Sequence, residues 1–373
     1  MWETSIERIS LALISLTISL GMILSPVSRR KVSVALGTTG AIGRRSVIFL
    51  LLGLAISPAL HASKLDSSII SMFPKDTSEL GYADLNRSRQ FSWFPQFEAQ
   101  FVPECVPGFE KFLENAQVQE TPSIAQVAWA RVSLSDRGSG RVSGRPAGET
   151  GQLVAVAAGQ FDDETIKWFL DGHNVHSVQA GPNVLYEAQT GMGMSEGYFA
   201  LIDNQTVAFG PLEGLERILQ IRSGSEKNLS ENAAMMALIN QVNGDALFWG
   251  VLGSSETGPA VQHLVPEVMK FPQANGLVGK LKGLLISAKA SDDIELDFQV
   301  DSASPSDAIV LSQLLEAAML PRRFQASQDN PELAKILDGM RITPDGSNVY
   351  LSINMTEDQM STLIERNTFK LSM

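Results

Sequence analysis

From residue 78 onward the chain follows one rule: apolar residues alternate or run together over five to nine positions, then recur every three or four. The first spacing predicts strands and the second helices. "SELGYADL" reads as a strand. In "FSWFPQFEAQFVPECVPGFEKFLENAQ", Phe94, Phe97 and Phe101, then Phe109, Phe112 and Leu113, fall at helical intervals. Pro103 and Pro107 split that stretch into two short helices. An aromatic stripe of this kind is either a core-facing surface or a lipid or peptide groove, and core is the commoner role. "SIAQVAWARVSLS" and "GQLVAVAAGQFD" are two further strands, joined by a Gly/Ser/Arg-rich loop from Asp136 to Gly151.

A strand-turn-helix pattern then recurs four times. "LVAVAAGQFDDETIKWFLDG" has Asp162 placed to cap its helix, and "QTVAFGPLEGLERILQIRSG" has Pro211 near the first turn and Gly224 at the close. "IELDFQVDSASPSDAIVLSQLLEAAML" starts its helix at Ser304-Pro305. In "SNVYLSINMTEDQMSTLIERN", Thr356 caps while Glu357 and Asp358 complement the helix N-terminus. Hairpins are expected at Asp203-Asn204-Gln205 and Ser291-Asp292-Asp293. A composition dip, "GSSETGP" at 253–259, is the expected module boundary. The reading is an α+β chain: repeated strand-turn-helix units on antiparallel or mixed sheets, in two similar modules, 63–254 and 255–373.

Residues 1–62 read as an export region. "RRSVIFLLLGLAISPALHAS" has a charged start at Arg44-Arg45, an apolar run and a passable cleavage site at Leu60-His61-Ala62. A second apolar stretch, Ile9 to Pro26, precedes it and, with its flanks, is long enough to span a bilayer. Either the true start lies between the two, which is the preferred reading, or the first stretch is a membrane anchor. The expected location is therefore outside the cytoplasm, periplasmic or tethered to the cytoplasmic membrane by this segment alone.

Charge sharpens the picture. Residues 1–62 hold six Lys/Arg and two acids; removing them from the chain totals of 29 and 41 leaves 23 and 39, a net −16 for the rest. Such a body repels phosphate backbones, so nucleic acid is not an expected partner. The one cysteine, Cys105, cannot form an intramolecular disulfide and is read as a small buried hydrophobe. Within the acidic body, Arg137, Arg141 and Arg145 form a basic island on the Asp136–Gly151 loop. They are the candidate contacts to an unidentified protein partner in the envelope, against the default of a solvated insertion.

The "FPKDT" opening after the signal, the "YFALIDNQTVAFGPLEGLERIL" segment and the closing "VYLSINMTEDQMSTLIERN" resemble a group of exported bacterial proteins of unknown function. The likeness covers roughly residues 70–368 and rests on turn residues and apolar positions. It implies an exported α+β protein with repeated ferredoxin-like units, and it implies no activity.

Candidate chemistry is sparse. Gly193-Met194-Ser195-Glu196-Gly197 matches the G-x-S-x-G elbow of α/β-hydrolases, with Asp245 and His263 as formal partners. The order is wrong for an elbow, because a glycine-methionine loop precedes Ser195 and a strand follows it. His173 and His176, near Asp171 and Glu187, form an H-x-x-H pair that could hold zinc, yet they fall between a helix and a strand and lack a placed general base. The turn at Gly210 lacks both G-x-G-x-x-G and the Walker lysine. Asp162-Asp163 and Asp292-Asp293 sit where caps and hairpins need them. No catalytic, cofactor-binding or metal-ligating residue is assigned, and no cofactor is expected. The expected role is binding or structural support in the envelope. The alternatives are a hydrolase with an unrecognised site and a membrane-tethered assembly factor.

Overall fold

The computed structural model of the chain describes residues 67–116, 124–133, 151–188, 197–291 and 293–365. The export region and the Arg137–Arg145 loop lie outside them.

The described chain opens with α1 (Ser67–Ile70), β1 (Glu79–Asp84), α2 (Leu85–Ser88), α3 (Phe94–Phe101) and α4 (Cys105–Asn115). The hairpin β2 (Ile124–Ser133) and β3 (Gly151–Gly159) follows, then α5 (Asp163–Gly172), β4 (Ser177–Ala180) and β5 (Asn183–Ala188). Next come β6 (Gly197–Asp203), β7 (Thr206–Gly210), α6 (Leu212–Arg222) and α7 (Ala233–Ile239). The remainder is β8 (Phe248–Gly253), α8 (Ser254–Leu264), α9 (Ala274–Val278), β9 (Gly283–Ala290) and β10 (Ile294–Asp301). Then α10 (Pro305–Asp329), α11 (Pro331–Gly339), β11 (Arg341–Asp345), β12 (Asn348–Met355) and α12 (Glu357–Glu365) complete it.

The strands form a single 12-stranded sheet in the order β11-β12-β10-β9-β8-β1-β2-β3-β7-β6-β5-β4. Every recorded pairing in it is antiparallel. The α+β class holds, and of the two sheet types expected it is the antiparallel one.

A repeat is visible in the topology. β1 and β8 each lead through helices into a hairpin (β2–β3 or β9–β10), then one helix (α5) or two (α10 and α11), then a second hairpin (β4–β5 or β11–β12). In the later half β12 lies directly beside β10, whereas in the earlier half the β6–β7 hairpin is inserted between β3 and β5. The two leading strands meet at the middle of the sheet, antiparallel, with Gly81 opposite Gly250. The repeat restarts at β8, ahead of the "GSSETGP" string. That string is not a linker: its residues 254–259 open α8, where the Thr257 hydroxyl donates back to the carbonyls of Leu252 and Gly253. Small polar residues lowered its mean hydropathy while still serving a helix start.

Alternation along each strand sends side chains to two faces. Trp129, Ala155, Phe199, Ile286 and Phe298 join one apolar cluster with α3–α5 and α8–α12. Leu80, Tyr82, Val154, Ala200 and Trp249 join a second cluster with α1, α6 and α7. Phe109 sits under the first layer against Phe199 and Phe209, with ring centroids 5.3 Å away in both cases. On β9 and β10 the second face turns polar: Lys289 reaches Glu295 at 3.4 Å and Asp297 at 3.1 Å across the hairpin. Helices therefore sandwich the centre of the sheet and cover the β9–β12 wing on one side.

The helix starts obey the capping chemistry expected of them. Asp162 accepts from the Thr165 amide, Ser304 from the Asp307 amide, and Thr356 and Gln359 exchange bonds as a capping box. Gly224 closes α6 at φ 76°, a left-handed position suited to glycine.

Candidate functional site

Two of the three segments that carry the resemblance, "FPKDT" and the one ending in α6, meet in space, while the third forms β12 and α12 at the other end of the sheet. The "FPKDT" turn buries Phe73 and closes with the Thr77 amide on the Pro74 carbonyl. From α6, Arg217 donates to Asp76 at 2.6 Å and also to Glu226. The Asn232 amide group holds the Lys75 carbonyl at 2.9 Å. A comparable knot ties α4 to β2: Arg89 grips both oxygens of Glu110 at 2.8 Å and donates to the Ile124 carbonyl, while the Ile124 amide donates to Glu110. These polar residues tie elements together rather than converge on a reacting atom.

The histidines diverge. His173 Nδ1 lies 2.9 Å from the Phe169 carbonyl, and its ring stacks on Phe169 at 3.9 Å. His176 Nδ1 instead faces Glu187 Oε2 at 2.9 Å on the exposed β5 side. Among the described residues no group of three or more His, Cys, Asp or Glu is placed to hold a metal. Ser195 falls outside the described residues, as do Arg137, Arg141, Arg145 and Asp292. Gly197, the last residue of the G-x-S-x-G match, opens strand β6. An elbow would lead into a helix there. Of the formal triad partners, His263 is in the last turn of α8, and Asp245 shapes the turn before β8, where its amide bonds to Asn243.

Cys105 opens α4, is 4% exposed, and has its thiol pushed up to about 12 by burial. The reactive species is the thiolate, so this thiol is inert in the folded protein. A disulfide-exchange reagent is expected to leave it unmodified in native buffer and to titrate one thiol per chain in urea. Rapid native labelling would show that α4 opens.

Two acids stand out that sequence reading passed over. Glu79, at the start of β1, has its carboxyl raised from 4.5 to about 7 by burial. Arg131 opposes that rise and Glu256 adds to it; the Glu79 Oε1 atom is buried without a hydrogen-bond partner. Arg131 stands one step beyond the Leu80–Ala130 pair, hence opposite Glu79. Glu98 on α3 also has a buried, unpartnered Oε1 and is raised by burial, then by Glu110. An acid at a strand start looks solvent-facing in one dimension; its neighbours in the fold, Arg131 of β2 and Glu256 of α8, are distant in sequence.

A cavity of about 40 Å³ lies between α8, α10 and the β9–β10–β12 wing. Every side chain lining it is apolar, among them Val261 and Leu264 of α8, Phe298 and Val300 of β10, and Leu315 and Met319 of α10. Its α10 wall, Leu311, Leu315 and Met319, is spaced i, i+4, i+8, one stripe of a helix. That helix is apolar on its outer side too: Leu320 is 62% and Phe324 68% exposed, with Ile309 and Val310 further back. The next turn of the inner stripe brings Arg322, paired with Glu267 at 2.5 Å, and Arg323.

No protein-family model matches the chain, and no curated protein does. Among solved structures, crystal form I of TP0453 aligns with a TM-score of 0.44 and 8% identity, over 82% of this chain and 100% of that one. The functional reading therefore rests on this chain's own geometry. Among the described residues no helix is long and apolar enough to cross a membrane.

Proposed function

We propose that the protein is an exported, non-enzymatic binding protein of the cell envelope, as the N-terminal export pattern and the acidic body anticipate. The observation that carries the reading is the wall of the cavity beside α10, which is apolar throughout. A hydrolytic site needs a nucleophile, a base and oxyanion donors converging on one point. An apolar hollow supplies none of these and instead favours burial of hydrocarbon. Arg89, Asp162, Arg217, Ser304 and Thr356 support the same reading, since they cap helices or tie elements together.

The basic loop is the proposed contact to a protein partner, because Arg137, Arg141 and Arg145 place positive charge on a body of net −16. Crosslinking followed by pull-down from the envelope fraction tests this. Wild type is expected to capture an acidic partner that the triple Arg137→Glu, Arg141→Glu, Arg145→Glu variant loses at least tenfold. A partner captured equally by both would overturn the loop's role. Ester hydrolysis by the purified protein that disappears in Ser195→Ala would overturn the non-enzymatic reading in favour of the hydrolase alternative.

A further inference from the structure

We propose that the cavity beside α10 binds the hydrocarbon tail of a carboxylate amphiphile, with Arg323 meeting the carboxylate. The proposal rests on the binding reading above and names its ligand class.

Three features of the site lead there. First, the wall offers no hydrogen-bonding side chain, so a polar ligand would lose its water contacts without replacement. A cavity of this kind stays dry and gains by accepting hydrocarbon. Its 40 Å³ compares with roughly 10–15 Å³ for one water on the same measure, so it takes the end of an alkyl chain as it stands.

Second, the α10 wall has a direction. Leu311, Leu315 and Met319 run along one stripe of α10, and Arg323 is the following member of the i+4 series, about 6 Å further along the axis. Its Nη2 reaches the Met340 carbonyl at a long 3.4 Å. Met340 precedes β11, whose Ile342 pairs with the cavity residue Leu351. The guanidinium thus lies by the β11–β12 hairpin that carries Leu351, just beyond the residues that line the cavity.

Third, Arg323 Nε is buried and has no hydrogen-bond partner. A buried N–H of a guanidinium left unpaired is costly, and a carboxylate is the group that satisfies its fork best. The neighbouring Arg322 differs: its charge is met by Glu267. One arginine is neutralised within the fold, and the other keeps a donor for an incoming anion.

The test is calorimetric titration of the purified protein with hexanoate, octanoate, decanoate and dodecanoate, each below its micellar concentration, with 1-decanol as the uncharged control. Affinity is expected to rise about fourfold per added methylene until the hollow is filled. Leu315→Trp, which fills the cavity from α10, is expected to abolish binding; Val261→Phe does so from α8, should the first variant fail to fold by circular dichroism. Arg323→Gln is expected to weaken decanoate about tenfold and leave 1-decanol unchanged. No binding by wild type, or binding unaltered in both filled variants, would overturn the site. Equal loss of decanoate and decanol in Arg323→Gln would overturn the role of Arg323. If these titrations fail while the arginine-loop pull-down succeeds, the binding reading stands and this ligand falls.

Discussion

Gly81→Ala is expected to destabilise the protein by about 3 kcal/mol, the upper range for overpacking a core. Gly81 lies mid-strand in β1, at the centre of the sheet, and the Trp129 indole of β2 is folded across it. A Cβ built there would sit 2.3 Å from Trp129 Cε2 and 2.5 Å from Nε1. Trp129 is 3% exposed, so the ring has no solvent to swing into. Gly250 faces Gly81 across the β1–β8 pair, and its own added Cβ would meet only the Leu80 carbonyl at 3.8 Å. Gly250→Ala should therefore cost little, which separates a local clash from a general intolerance of side chains at the sheet centre. Urea titrations of both variants read the difference. Trp129→Leu placed in the Gly81→Ala background should recover at least about 1 kcal/mol relative to additive losses. Strict additivity would mean that the indole does not depend on the glycine beneath it.

That pair also shows where a one-dimensional reading stops. The strands and helices were legible because their periodicity and caps are local: Asp162, Ser304 and Thr356 each hold an amide within three residues. The joining of all 12 strands into one sheet was not, since the β1–β8 contact links residues with no shared local pattern. Arg217 and Asp76 are 141 positions apart, so an ion pair looked like two turn residues. The "GSSETGP" string was legible as a composition dip but not as a helix start, as small polar residues begin helices as readily as they fill linkers. The cavity was hidden in "SDAIVLSQLLEAAML", where apolar residues occupy both sides of α10 and no stripe stands out. Histidine spacing was legible, but whether two rings converge depends on the local backbone. Here the chain leaves α5 through Asn174 at φ 52°, and the rings end on different elements.

Glu79 makes the second large prediction, a stability that declines with rising pH over a range where most folded proteins are steady. Its carboxyl has an ordinary value of 4.5 and sits at about 7 in the fold, chiefly because burial penalises the charged form. Between those values the native state holds a proton that the unfolded chain has released, so stability falls as pH increases. The contribution is complete below about pH 4.5, fades through neutrality and is gone above about pH 8. The gap corresponds to about 3 kcal/mol. Glu79→Gln keeps the shape and removes the titration, so it should match wild type at pH 4.5 and exceed it by up to about 3 kcal/mol at pH 8. Arg131 and Glu256 set the sign of two further tests. Arg131→Gln removes the charge that favours ionised Glu79 and should steepen the decline, while Glu256→Gln removes a repelling charge and should flatten it. Urea midpoints measured from pH 4.5 to 8 on the four proteins decide the matter. Parallel curves for wild type and Glu79→Gln would mean that water or a rearranged side chain reaches this carboxyl. The β1 end of the central pair would then open more readily than its packing implies. A decline confined to the proteins that retain Glu79 would instead place an ionisation near neutral pH beside the junction of the two repeated halves, where the ends of β1 and β8 meet α8 through the Ser78–Glu256 contact.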